Sequence, residues 1–135
     1  KGNVHYVAIM LRPDGFTVFY PPPNENIIML YTSHFFKRYD ERLELNLVDP
    51  KDKIRHYFQK GTHSPYEKLY DIDSNRFSFF AAHPFGVMLG VYYIKENIAK
   101  FNTFLSNDML KGNQVEKFET LKKKIDKYTS EDLLD

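Results

Sequence analysis

Residues 77–94, FSFFAAHPFGVMLGVYYI, carry no formal charge and lie between Arg76 and Lys95. A single helix over this stretch would be about 27 Å long, close to the hydrocarbon thickness of a bilayer. The HPFG tetrapeptide at 83–86 interrupts it, with Pro and Gly at the positions that a type I turn favours. Inside a helix, Pro costs about 3 kcal/mol and Gly about 1 kcal/mol. We therefore predict a β-hairpin over 77–94, with a single membrane-spanning helix as the alternative, because lipid softens those penalties.

A second hairpin is predicted at the start of the chain, over residues 4–20. Val4–Leu11 is apolar at both alternating sets of positions, which is typical of a strand buried on both faces of a sheet. The RPDG sequence at 12–15 has strong turn chemistry, and the apolar positions of 16–20 then alternate as a second strand. The three prolines at 21–23 cannot donate to a ladder, so they end this strand.

Four helices are predicted, over about 25–38, 50–60, 96–111 and 114–128. The first rests on the four-residue spacing of Ile27, Tyr31 and Phe35, although Ile28–Tyr31 alone could equally be a short buried strand. The second begins at the helix-starting pair Asp49-Pro50 and ends at Gly61.

The last two predicted helices rest on amphipathic spacing. In 96–111 the apolar positions are Ile98, Phe101, Leu105 and Met109, and in 114–128 they are Val115, Phe118, Leu121, Ile125 and Tyr128. Two shorter strands are predicted elsewhere, over Arg42–Val48 from its alternating leucines and over Leu69–Asp71.

These elements predict an α+β fold, with a mixed, mostly antiparallel sheet built from the two hairpins and packed by the helices. Residues 1–128 are assigned to one domain, and residues 129–135 to an acidic C-terminal tail.

The composition excludes several functional classes. The 135 residues include no cysteine, which removes disulfide frameworks, thiolate catalysis and cysteine zinc sites. The formal net charge of +1 argues against a nucleic-acid partner, which normally requires a basic excess. The lack of cysteine and of any N-x-[ST] sequon favours an intracellular, cytoplasmic location, whereas the membrane-span alternative would place the chain in an organelle membrane.

The sequence nominates no catalytic residue, cofactor or metal site. It contains no G-x-S-x-G elbow, no phosphate-binding glycine loop and no H-E-x-x-H helix. Residues 71–75, DIDSN, imitate the start of a calcium loop, but Arg76 stands where glycine is required, so a turn between strands is predicted. We therefore predict a chain that is not an enzyme; the rival is a hydrolase with a site around His56, His63 and Asp73.

Two groups of residues are predicted to contact partner proteins. The first is the rigid Tyr20-Pro21-Pro22-Pro23 segment, and the second is the aromatic set Tyr31, Phe35 and Phe36, because aromatic side chains are frequent interface anchors.

The order of predicted elements resembles that of longin and related SNARE-like domains. The resemblance rests on Val4–Leu11, the turn and strand at 13–20, the strand–turn–strand at 76–93 and the helix at 96–111. It departs from the family pattern at 42–66, where a further strand and helix intervene. The resemblance implies a non-enzymatic scaffold in membrane trafficking that presents helix and sheet-edge surfaces to partner proteins or small GTPases.

The function predicted from the sequence is therefore a protein–protein interaction domain that serves as a scaffold subunit of a larger assembly. One alternative is an accessory single-span subunit of a membrane complex, for example a mitochondrial one, anchored by Phe77–Ile94. Another is a small-molecule-sensing domain of the PAS or profilin-like kind, which requires an internal apolar cavity.

Overall fold

The computed structural model describes residues 5–60 and 66–110, which form an α+β fold with one seven-stranded mixed sheet. In chain order the elements are β1 (Ala8–Arg12), β2 (Gly15–Tyr20), β3 (Ile28–Thr32), α1 (Ser33–Leu43), α2 (Pro50–Lys60), β4 (Tyr66–Asp71), β5 (Arg76–His83), β6 (Gly86–Tyr93), β7 (Ile98–Ser106) and α3 (Asn107–Leu110).

The strands lie in the order β1-β2-β3-β7-β6-β5-β4. The neighbours β3 and β7 are parallel, and the other neighbouring pairs are antiparallel. Parallel neighbours need a long crossover connection. Here that connection includes α1 and α2, followed by the antiparallel strands β4, β5 and β6. The arrangement leaves β1 and β4 as the two edges of the sheet.

The uncharged stretch 77–94 consists of strands, not of a membrane-spanning helix. β5 and β6 pair antiparallel, with His83 opposite Gly86 and Phe77 opposite Tyr92. The alternative of one helix over this stretch is therefore wrong. Within the described residues, no helix is both long enough and apolar enough to cross a membrane.

The helix predicted over 25–38 is wrong in its first half. Ile28–Thr32 forms β3, and α1 begins only at Ser33. Thr32 ends the strand and caps the helix, because its hydroxyl oxygen accepts a hydrogen bond from the Phe35 N–H at 3.0 Å. Tyr31 and Phe35 are four residues apart, which suggested one helix. Both side chains are buried, but Tyr31 lies in the strand and Phe35 lies in the helix.

The helix predicted over 96–111 is also wrong, since Ile98–Ser106 is strand β7 and helix begins only at Asn107. A register shift between Leu89 and Gly90 inserts an extra β7 residue, so the two-residue alternation of β7 is broken. The spacing of Phe101 and Leu105, typical of one helix face, joins the two faces of this strand, because Phe101 packs in the main core and Leu105 in a second cluster. The predicted helix 114–128 and the tail 129–135 lie outside the described residues.

The segment around Arg42–Val48 is helix followed by loop, so the strand predicted there is wrong. α1 runs through Leu43 and ends at Glu44, which adopts a left-handed conformation at φ 55°. The Asp40 carboxylate then accepts a hydrogen bond from the Leu47 N–H at 2.9 Å, which fixes the loop against the helix. By contrast, α2 spans Pro50–Lys60, which confirms the helix predicted there.

The main core lies between the sheet and the two longer helices. Its centre is Tyr31, whose ring stacks on Phe101 with centroids 4.7 Å apart and meets Tyr57 edge-on at 5.1 Å. A smaller cluster of Leu69, Leu89 and Leu105 is also buried. Leu89 follows the core residue Met88 directly, so strand alternation places this second cluster on the opposite face of the sheet.

Candidate functional site

The edge strand β1 is the most unusual surface of the described chain. All five of its residues are exposed, and its large apolar side chains are 43% exposed at Ile9, 51% at Met10 and 83% at Leu11. Apolar residues scattered singly over a surface are normal, but a contiguous apolar strand at an edge is a feature of interaction sites.

The sequence predicted that this strand would be buried on both faces, and that prediction is wrong. Ile9 lies opposite Val18 on one face of the sheet, and Met10 lies opposite Thr17 on the other. Val18 and Thr17 are buried, whereas their β1 neighbours are exposed. The strand thus has the composition of an interior strand but the position of an edge strand.

The local sequence explains why β1 stands at the edge. Pro13 and Asp14 form the turn, so that Arg12 lies opposite Gly15 and β1 pairs back on β2. The other side of β2 is occupied by β3, with Tyr20 opposite Met29. In an antiparallel edge strand, alternate residues direct both their N–H and C=O groups away from the sheet. β1 therefore presents backbone donors and acceptors between two apolar rows of side chains.

Charge is nearly absent from this surface. Arg12 is the one charged residue of β1, and it lies at the strand's end. Its guanidinium Nε is 3.7 Å from a carboxylate oxygen of Asp14 in the adjoining turn, and both side chains are exposed. The strand has no proline and no inward-pointing charge, two of the devices by which proteins usually protect an edge.

The opposite edge, β4, has the protection that β1 lacks. Its sequence YEKLYD carries three charged side chains, and its register with β5 shifts between Lys68 and Tyr70. The Lys68 ammonium donates to the Asp71 carboxylate at 2.6 Å along the exposed strand. Charges and a register irregularity both discourage the addition of another strand. The two edges of the sheet therefore differ in how well they are protected against the addition of another strand.

The residues that the sequence nominated for partner contacts fall into two groups. Tyr31, Phe35 and Phe36 are 0% exposed and form part of the main core, so they offer no surface to a partner in this fold. Their aromatic side chains fill the interior of the domain.

The Tyr20–Pro23 segment lies at the end of β2 and is mixed in exposure. Tyr20 is buried, and its hydroxyl lies 3.2 Å from Nδ1 of His5. Pro22 is also buried, whereas Pro21 and Pro23 are exposed. Only alternate residues of this segment are therefore accessible to a partner.

The rival hydrolase site gains no support from the described residues. Asp73 accepts hydrogen bonds from the N–H groups of Asn75 and Arg76 at 2.9 and 2.8 Å, which is the role of a turn residue. Nδ1 of His56 lies 2.8 Å from the Tyr39 hydroxyl, and burial is the main cause that lowers the pKa of this histidine. His63 lies outside the described residues. Among residues 5–60 and 66–110, no cluster of three or more His, Asp or Glu could hold a metal ion.

His83 is buried in aromatic surroundings and is best explained as a packing residue. Its ring stacks on Tyr57 with centroids 5.2 Å apart, and its Nδ1 accepts a hydrogen bond from the Phe85 N–H at 3.1 Å. Burial lowers the pKa of His83 to about 4, so the ring is neutral at pH 7. Because Nδ1 accepts, the proton resides on Nε2, and the ring meets Phe104 edge-on at 5.5 Å.

Two cavities bear on the small-molecule alternative. A cavity of about 630 Å³, lined in part by Phe19, Leu30 and Lys100, is broadly open to solvent. A smaller apolar cavity between Met29 and Met88, less open than the first, has a volume of about 40 Å³. Ligand pockets usually have volumes of roughly 300–1,000 Å³, so this apolar cavity is too small for a typical ligand.

Comparison of the chain with protein-family models, with curated proteins and with solved structures finds no match to any of them.

Proposed function

We propose that the chain is a non-enzymatic protein-interaction domain that serves as a subunit of a larger assembly, and that it joins its partner by accepting a strand at β1. The observation that supports this proposal is the apolar composition of an exposed edge strand whose one charged residue, Arg12, lies at its end. A resemblance to longin domains would make that assembly part of the membrane-trafficking machinery.

An added strand would pair with the free backbone edge of β1 and would also cover its exposed apolar side chains. Its backbone pairs with the outward N–H and C=O groups of β1, and its alternate side chains cover the apolar rows on the two faces. Burial of Leu11 and Met10 supplies free energy at about 25 cal/mol per Å² of apolar surface removed from water. A helix or an irregular loop would cover the side chains but leave the backbone groups unpaired.

Titration with a strand-forming peptide tests the proposal. The probe is a blocked six-residue peptide of alternating Val and Thr, added to isotope-labelled protein and followed by amide chemical shifts. We expect shifts concentrated at β1 and at its neighbour β2, with the β4 amides unchanged, because β4 is protected by its charges and its register shift.

A matched peptide with Pro at its third and fifth positions serves as the control, because Pro cannot donate to a ladder. The Ile9→Lys variant should weaken binding of the Val/Thr peptide by placing an amine on the apolar row beside Val18. Equal shifts at β4 and β1, or shifts that the Pro peptide reproduces, would contradict strand addition at β1.

A further inference from the structure

We infer that the strand accepted at β1 is β1 of a second copy of the chain, so that two sheets join edge to edge around a two-fold axis. This inference rests on the proposed function and names its partner. Two-fold dimers are the commonest homo-oligomers, and their interfaces must be self-complementary.

β1 is self-complementary in an antiparallel register centred on Met10. In that register Met10 faces Met10 of the second copy, Ile9 faces Leu11, and Ala8 faces Arg12. Directly opposed residues of an antiparallel pair lie on the same face of the sheet. The row containing Ile9 and Leu11, beside Val18, therefore meets its equivalent row, and apolar side chains cover one another.

The charges of β1 also permit this register. Arg12, the one charged residue in the strand, stands opposite the small side chain of Ala8 and not opposite another cation. The Asp14 carboxylate, 3.7 Å from the Arg12 guanidinium, partly neutralises that charge. At the other edge, β4 would have to place several charges and an irregular register against a second copy, which disfavours pairing there.

The small size of the β1–β1 contact limits the affinity of the dimer. A strand of five residues is much shorter than the roughly 20–30 residues per partner found in stable interfaces. We therefore expect a weak dimer whose population rises with protein concentration.

Sedimentation equilibrium over a wide range of concentrations provides the first test. The wild-type chain should pass from the monomer mass of 16.1 kDa towards twice that mass as its concentration rises. A mass that stays at the monomer value up to millimolar concentration would overturn the inference.

Charge substitutions at Met10 test the register. Met10→Lys and Met10→Glu each place like charges opposite one another across the two-fold axis, which should raise the dimer dissociation constant by roughly fivefold or more. An equimolar mixture should regain dimer, because Lys then faces Glu. Met10→Leu, which keeps an apolar side chain of similar size, should leave the constant within about twofold of wild type. Met10 is half exposed at an edge, so circular dichroism should show these variants folded like wild type.

A cysteine at the same position supplies a second measurement that does not depend on charge. The chain has no cysteine, so Met10→Cys introduces its one thiol. Opposed strand residues lie at Cα separations that suit a disulfide, and mild oxidation should link most of the chains in pairs. Val48→Cys, at a loop position that is 91% exposed against 51% for Met10, should give only background linkage. The inference would be overturned if the mixture of the Met10→Lys and Met10→Glu variants formed no more dimer than either variant alone. Equal disulfide linkage at residues 10 and 48 would overturn it too.

These tests separate the inference from the proposed function. A chain that stays monomeric but binds the Val/Thr peptide at β1 accepts a foreign strand, so only the inference fails. A chain that neither dimerises nor binds that peptide contradicts both.

Discussion

The phenolic oxygens of Tyr31 and Tyr57 lie 3.0 Å apart in the centre of the core, where they join strand β3 to helix α2. Tyr57 also donates to the sulfur of Met88 on β6 at 2.8 Å. Its oxygen is then left to accept the Tyr31 proton. Burial of both rings raises the pKa of each hydroxyl above its usual value, so both remain protonated. A series of polar contacts therefore crosses a core that is rich in aromatic side chains.

Removing the hydroxyl of Tyr57, the middle member of this hydrogen-bonded series, should destabilise the fold more than the loss of one oxygen atom suggests. Tyr57→Phe leaves the Tyr31 hydroxyl with only the Met29 sulfur, 3.6 Å away, as its remaining partner. We expect a loss of about 1–3 kcal/mol, the cost of a poorly satisfied buried hydroxyl. Urea unfolding followed by circular dichroism measures it.

The double variant Tyr31→Phe/Tyr57→Phe is the control for that interpretation. Because it removes both hydroxyls, its loss of stability should be clearly smaller than the sum of the two single losses. Additive losses would show that the two hydroxyls do not act as a pair.

Acid should destabilise the chain through His83. Its folded pKa of about 4 lies below the unfolded value of 6.5, so the unfolded state binds more protons as the pH falls between these values. Stability is therefore fully present above pH 6.5 and is lost on acidification, by about 2 kcal/mol at pH 5. His83→Phe removes the titrating ring and should flatten this dependence in urea unfolding at pH 7 and pH 5. The same acid slope in wild type and variant would rule out His83 as its source.

Arg42 should contribute to the attachment of helix α1 to the sheet. Its Nη1 donates to the Thr103 hydroxyl and to the Phe104 carbonyl oxygen, both at 3.0 Å. Arg42→Met should cost about 1–3 kcal/mol, because charge-assisted bonds are lost and the carbonyl loses a partner. Lys37→Met, an exposed cation on the same helix, should change stability by less than about 0.5 kcal/mol. Equal losses for the two variants would contradict this role for Arg42.

Gly90 should tolerate no side chain. A Cβ at this position would overlap the Lys100 carbonyl oxygen on the neighbouring strand and lie 3.1 Å from the Phe79 ring. Gly90→Ala should therefore cost more than about 3 kcal/mol or prevent folding, because the sheet backbone must shift. Ser74→Ala in the exposed β4–β5 turn is the matched control and should be nearly neutral. A thermal midpoint for Gly90→Ala within a few degrees of wild type would show that the sheet accommodates the added atom.

The α+β class and helix α2 were predictable from the sequence because their signals are local. The parallel pairing that makes the sheet mixed joins β3 and β7, both of which were predicted as helix. The start of α2 at Pro50 follows from a proline that suits only the first turn of a helix. The errors at β3 and β7 arise where apolar spacing is ambiguous. Tyr31 and Phe35 are four residues apart across a strand–helix junction, and Phe101 and Leu105 are four residues apart on opposite faces of β7.

The candidate site could not be predicted, because an edge is a property of the whole sheet and not of one strand. Val4–Leu11 has the pattern of a buried strand, and the placement of β3 and β7 leaves β2 as the single neighbour of β1 among the described strands. The aromatic residues Tyr31, Phe35 and Phe36 were chosen as interface anchors for their type alone. In the fold they are interior residues.

Amide hydrogen exchange resolved at Ile9, Met10 and Leu11 as a function of protein concentration tests the central claim most directly. If β1 pairs with a second copy, the outward-pointing amides of this strand should exchange at least about tenfold more slowly at high concentration than at low, while those of β4 stay unchanged. Exchange at β1 that is fast and independent of concentration would contradict the account.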